Sequence, residues 1–271
     1  MKRYYRIEHD GEPRHVLEQD GVWRLLEGEI FGAHRAGETI AADGHRVLPP
    51  VLPSKIVAVG LNYKDHAAEQ NKPLPAEPMI FIKPSTAVIG PGAPIVLPGQ
   101  AGRVDHEAEA GVVIGVRARH VSESEAHKYI FGVTCVNDVT ARELQARDIQ
   151  YTRAKGFDSF APIGPCIASG LDYTRAEGLG VEGWVNGQRR QASSTRELIF
   201  SIHRLVAFIS SVMTLLPGDI ISTGTPAGIG PLAAGDTVTI KVEGVGELTN
   251  TVQEPETTFA QAFRPAIHGS P

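Results

Sequence analysis

Asp105-His106-Glu107-Ala108-Glu109-Ala110-Gly111-Val112-Val113-Ile114 is the stretch on which the reading of this chain turns. Residues 108–116 are mostly small or β-branched and the run is short, which marks a buried strand. Side chains alternate faces along a strand, so Glu107 and Glu109 point the same way. Two carboxylates on one face repel unless one is protonated or a cation bridges them. A hard divalent cation with oxygen ligands answers that repulsion and calls for a third oxygen donor. Asp138 is a candidate: it follows the apolar run 131–136, where a strand would deliver a carboxylate to a site at its tip. The competing reading of the same Glu-x-Glu spacing is a solvated polar face at a strand start.

Working outward, residues 129–137 read as a second buried strand and 141–150 as a helix. Upstream, 55–59 is a short apolar strand broken by Gly60, 63–70 a short helix ended before Pro73, and 79–82 another strand. Residues 83–102 are turn-rich around Gly90-Pro91-Gly92, and 122–128 suggest a helix. Asn186-Gly187 after Trp184-Val185 is a hairpin turn of the primed type. Ser194 and Glu197 form a capping-box pair. Behind them Leu198, Ile199, Ile202, Leu205, Val206, Ile209, Val212 and Met213 recur at helical spacing, until Pro217-Gly218-Asp219 stops the helix. Strands follow at 220–223, 238–242 and 248–252. Near the start, 6–8, 15–18 and 22–26 form a small meander turned at Asp10-Gly11 and Asp20-Gly21, and Pro49, Pro50 and Pro53 mark a stiff linker. The expected architecture is α+β and strand-dominated, with a small β-rich domain over 1–53 and a catalytic domain over 54–271.

Composition agrees. The 271 residues include 29 Gly and 19 Pro, which suits many short strands joined by tight turns, and 42% hydrophobic residues, enough for a sizeable core. A net charge of -5 argues against a nucleic-acid partner, which would call for a basic patch. No segment approaches the ~18 apolar residues that span a bilayer. Met1-Lys2-Arg3-Tyr4-Tyr5 carries basic residues with no apolar run behind them, so no signal peptide is expected. Cys135 and Cys166 lie in or beside apolar runs and fit a reduced, cytoplasmic core better than a disulfide or a zinc site.

Three further features carry chemistry or its bland alternative. His66 and Glu69, three apart, share a helical face; a carboxylate against an imidazole orients the ring, and such a pair can take up and return a proton. The alternative is a surface contact. Lys155, in Lys155-Gly156-Phe157-Asp158, sits in what reads as a mixed loop and has an ordinary solvated lysine as its alternative. Residues 224–230 form a glycine-rich loop that could present N–H groups to an anion, but it lacks the ending of a nucleotide-binding P-loop.

Five short segments in this order resemble the fumarylacetoacetate hydrolase family over most of the chain, about 55–252. They are Gly60-Leu61-Asn62-Tyr63-Lys64-Asp65-His66, Asp105-His106-Glu107-Ala108-Glu109, Asn137-Asp138-Val139-Thr140-Ala141-Arg142 with Gln145, Lys155-Gly156-Phe157-Asp158, and the run from Gly218-Asp219 to Thr225-Pro226. The resemblance implies a mixed β-sandwich or β-roll catalytic domain, a homodimer, and bound Mg²⁺ or Mn²⁺ held by Glu107, Glu109 and Asp138. It implies a water-activating dyad in His66 and Glu69, Lys155 beside the substrate, and Gln145, Arg142 and Thr225 as substrate-binding residues. The substrate implied is a small 2-oxo acid, which can chelate the ion through its carboxylate and keto oxygen while charge develops on an enolate. Isomerisation, decarboxylation and C–C hydrolysis are all compatible with such a core. Leu61 stands where acylpyruvase-type members tend to carry Arg, and no fourth metal carboxylate is evident. The missing carboxylate argues against fumarylacetoacetase activity itself, and the Leu61 form resembles bacterial members acting on hydroxymuconate-type diacids, such as 2-hydroxyhepta-2,4-diene-1,7-dioate isomerases. Acylpyruvate hydrolysis, oxaloacetate decarboxylation, 2-keto-3-deoxy sugar-acid dehydration and a non-catalytic metabolite binder are the alternatives.

Overall fold

The computed structural model describes residues 1–255; the last part of the expected domain 54–271 lies outside the described residues. Its backbone is organised by a 12-stranded sheet in which Ala108–Ile114 is central. That strand pairs antiparallel with Ile130–Asn137 on one side and Ile220–Ser222 on the other. Every one of its residues is buried, which is why, apart from Glu109, it reads as a run of small and apolar residues. Lys55–Gly60 runs parallel to Ile220–Ser222, and Met79–Pro84 closes that edge.

At the other end the expected N-terminal meander is present, as strands Lys2–His9, Glu12–Gln19 and Val22–Gly28. Asp10, Gly11, Asp20 and Gly21 all have positive φ, as their two-residue hairpin turns demand. A fourth strand, His34–Ile40, extends the meander; its charged, half-exposed sequence hid it. Lys2–His9 also pairs with Ala161–Ser169, so these first strands continue the main sheet.

A five-stranded sheet, which includes the Asn186-Gly187 hairpin, packs on one face of the large sheet. Ala108, Ala110, Cys135, Ile240 and Leu248 share the core between them. Both cysteines are free and buried. The helix Ile202–Val212 packs on the same face of the large sheet, beside the five-stranded one, where its Leu205, Val206 and Ile209 meet Val57, Val59 and Val112.

Several local expectations need correction. The long helix does not start behind Ser194. The Ser194 side chain caps a single 3-10 turn, Thr195–Glu197, and the helix begins at Ile202 under Ser201, whose hydroxyl accepts from the Arg204 N–H at 3.2 Å. Residues 198–201 are drawn out of the helix by tertiary partners: Leu198 bridges Tyr63, and the Ile199 N–H donates to Asn62 O at 2.8 Å. Glu123–Tyr129 forms 3-10 turns where an α-helix was expected, and the helix expected over 141–150 is only Arg142–Arg147. Lys155 ends a short helix, Thr152–Lys155. Ala161–Ser169 is a strand despite Pro162 and Pro165; the pairing register with Ile130–Asn137 shifts next to Pro165, where a missing N–H is tolerated. Among the described residues no helix is long and apolar enough to cross a membrane.

Candidate active site

Strand register assembles the carboxylates. Ala108 lies opposite Asn137, so Glu107 lies opposite Asp138, and the Asp138 N–H donates to Glu107 O at 3.0 Å. Residues directly opposite in an antiparallel pair project from the same face. Glu107, Glu109 and Asp138 are accordingly buried together, with one carboxylate oxygen from each within 4.8 Å of the others. Glu109 also accepts from the Ser222 hydroxyl at 2.5 Å and the Gly224 N–H at 2.8 Å. Gly224 has φ +98, and a Cβ there would come within 2.8 Å of Asn62, so a side chain would disturb this contact.

Cations surround the three acids. Lys155 Nζ donates to Glu107 at 2.8 Å and to Asp138 at 2.5 Å, and lies 5.0 Å from the centre of the Phe81 ring. Arg142 donates to Glu107, to Asp105 at 2.9 Å and to Gln145 Oε1 at 2.8 Å. Lys83, absent from the sequence-derived candidates, is fully buried and holds the other Asp138 oxygen at 2.5 Å. Its signal was a lysine closing the apolar strand 79–82 directly before Pro84. Gln191 was also missed. It is fully buried, donates to Thr225 Oγ1 and Pro226 O at 2.8 Å, and accepts from the Ala108 N–H at 2.9 Å. It thereby clamps the glycine-rich loop to the residue between Glu107 and Glu109.

The pKa directions follow. Burial pushes the Glu107 carboxyl up, but Arg142 and Lys155 together outweigh it and hold Glu107 well below the usual carboxylate range. Glu109 has no cation against it; burial, then Asp138 and Glu107, push it up to about 8. Burial works against the Lys155 ammonium, yet Asp138 and Glu107 keep it above the ordinary lysine value. For Lys83 burial prevails and the value is lowered. Because the folded state raises Glu109 above its ordinary 4.5, this carboxyl holds its proton in the cation-free protein between there and about 8, where the unfolded chain has lost it. Its own contribution to stability therefore falls as pH rises through that window, while His15, His106 and His203, lowered by burial, act in the opposite sense. Denaturant titrations in chelator at pH 5.5 and 8 should show a smaller gain, or a larger loss, for the wild type than for Glu109→Gln as pH rises.

His66 and Glu69 come together on the short helix Lys64–Glu69. His66 Nδ1 meets Glu69 at 2.8 Å, and Nε2 faces the Gln70 amide at 2.7 Å. The other Glu69 oxygen accepts from the Gly228 N–H at 2.9 Å, and Asp65 accepts from the Ser193 hydroxyl at 2.8 Å, so the helix is tied across the site at two points. His66, the three acids, Lys155, Arg142, Gln145 and Thr225 all line one cleft, with a cavity volume of about 60 Å³. Glu69 does not line it and reaches it through His66. The Thr225 hydroxyl is already committed to Ala108 O at 3.1 Å and to Gln191.

The donor set suits a hard divalent cation. It is all oxygen, converges from one sheet face, and three carboxylates leave about half of an octahedron open. Mg²⁺ or Mn²⁺ fits that chemistry; soft, thiolate-seeking metals do not.

Comparison with known proteins assigns the class. Residues 55–253 match the family model described as fumarylacetoacetate (FAA) hydrolase C-terminal, and residues 2–50 match one described as Rv2993c-like, N-terminal. The chain belongs to the fumarylacetoacetate hydrolase family, whose members are enzymes and typically bind a divalent metal. It is 54% identical over 235 residues to an uncharacterized protein of Archaeoglobus fulgidus, covering 84% of this chain and 92% of that one. Two solved structures are similar over nearly the whole chain. The 5-carboxymethyl-2-hydroxymuconate delta-isomerase of Mycobacterium smegmatis is 44% identical, with a TM-score of 0.86 over 93% of this chain and 100% of that one. The 2-hydroxyhepta-2,4-diene-1,7-dioate isomerase of Mycobacterium marinum is 41% identical, with a TM-score of 0.85 over 94% and 99%.

Proposed function

We propose that the chain is a divalent-cation-dependent isomerase of 2-hydroxydienoic and 2-oxo diacids, with Glu107, Glu109 and Asp138 as metal ligands. The observation that carries this reading is the juxtaposition of the buried triad with His66, whose Nδ1 donates to Glu69 at 2.8 Å so that Nε2 is the unprotonated nitrogen; its lone pair accepts from the Gln70 amide at 2.7 Å, a contact the substrate displaces. The names of the two similar solved structures support the substrate class. A bound divalent cation would act as a Lewis acid on the substrate's keto oxygen. His66 takes the enol proton, and one proton is delivered to a carbon of the conjugated chain, so the proton count is unchanged and a ketone replaces the enol. Lys155 is a fixed positive charge on the floor of the cleft, and the Gln145 nitrogen, free of protein partners among the described residues, is available to a substrate oxygen. The same His66 could instead direct water at a second carbonyl, which would make the enzyme an acylpyruvate hydrolase.

The test is to strip the protein with a chelator, restore Mg²⁺ or Mn²⁺, and follow 5-carboxymethyl-2-hydroxymuconate, acetylpyruvate and oxaloacetate by absorbance. Metal-dependent isomerisation of the first is expected. Cleavage of acetylpyruvate alone would assign hydrolysis instead, and turnover of none with metal bound would sink the reading.

A further inference from the structure

The positive charges lining the cleft are not equivalent. Lys155 and Arg142 are engaged by Glu107, Asp138 and Asp105, and His66 is engaged by Glu69. Lys72 also lines the cleft, is exposed, and has no ion pair or side-chain hydrogen bond among the described residues. Its place is set by how the short helix Lys64–Glu69 ends. Asn71 takes the left-handed conformation at φ +52, its N–H donates to Ala68 O at 3.1 Å, and the Lys72 N–H donates back to Ala67 O at 3.0 Å. That pair of reversed bonds is a Schellman closure, which asparagine accommodates because it tolerates positive φ. It turns the chain back on the helix and brings Lys72 to the cleft that His66 lines. Other lining residues, Val59, Leu61, Met79 and Phe81, are apolar. Leu61 is itself held at φ +53, its backbone pinned beside Asn62, whose amide donates to Thr223 O at 2.7 Å.

The cleft therefore combines a metal-type acidic end, hydrocarbon walls, and a single uncommitted ammonium. We propose that Lys72 is a specificity-determining residue that pairs with the distal carboxylate of a diacid, whose carbon chain lies against Leu61 and Met79. This inference rests on the proposed function and deepens it by naming the group that recognises the diacid's second carboxylate. An exposed ammonium pairs with a carboxylate only modestly, by about two- to fivefold in affinity, and less at high salt.

The experiment compares a 2-hydroxydienedioate with its distal methyl ester, the same carbon skeleton without the second charge, on the Mg²⁺-loaded enzyme. The wild type should prefer the diacid by about fivefold in kcat/KM, expressed in KM. Lys72→Gln should collapse that preference towards one, Lys72→Arg should retain it, and 0.5 M salt should reduce it in the wild type. A preference that survives Lys72→Gln, or a wild type that does not distinguish the two compounds, overturns the role of Lys72 while leaving the proposed function standing. Turnover of neither compound by the wild type overturns the proposed function itself, and this inference with it.

Discussion

Asp138→Asn is expected to abolish divalent-cation binding and turnover together. Asp138 is the acid on which the two buried lysines converge, Lys83 on one oxygen and Lys155 on the other, both at 2.5 Å. The amide keeps the shape but loses the charge, so a cation would meet two carboxylates and an ammonium pair with one anion fewer to balance it. Changes to groups that merely support metal ligands cost about 10- to 100-fold in affinity, and loss of a ligand's charge should exceed about 100-fold. The same change leaves Lys83 buried without its anion and Lys155 with Glu107 alone, and breaking such a buried pair costs about 3–5 kcal/mol. Adding Lys83→Met removes one of those charges and should restore part of the stability without restoring the metal. Calorimetric titration with Mn²⁺ separates the two effects. Wild-type turnover by a folded Asp138→Asn protein would remove Asp138 from the centre.

His66→Ala gives the second large effect, of the opposite kind. General acid–base groups contribute about 10²- to 10⁴-fold, so kcat should fall by that much while divalent affinity and folding stay near wild type. The separation is expected because the His66 ring makes no hydrogen bond to the triad: its hydrogen bonds run to Glu69 and Gln70. Glu69→Gln should fall between the two, since it loosens the ring and also weakens the contact to Gly228. Full activity in His66→Ala would place the proton-transfer group elsewhere in the cleft.

Local pattern was enough to place Glu107 and Glu109 on one face of a buried strand, to turn the chain at Asn186-Gly187, and to put His66 within reach of Glu69, because each of these depends on residues at most a few positions apart. The strand-dominated α+β class followed from the same short-range signals. Longer-range matters followed only from the three-dimensional arrangement. That Asp138 faces Glu107 is a matter of pairing register between two strands. Lys83 shows as an ordinary lysine at a strand end, and only the parallel run of Lys55–Gly60 beside Ile220–Ser222, with Met79–Pro84 at its edge, brings it to Asp138 across 55 positions of sequence. Gln191 reaches Ala108 and Thr225 through the second sheet, 83 and 34 positions away. The Ser194 signature failed for the same reason: capping and hydrophobic period favoured an early helix start, but residues 198–201 gain more from pairing with Asn62 and Tyr63 than from one further helical turn. Spacing along the chain specifies which side chains share a local face. Which distant faces meet, and so which buried charges find partners, is decided by the packing of the sheets, since a buried charge is tolerated only where the fold delivers its counter-charge.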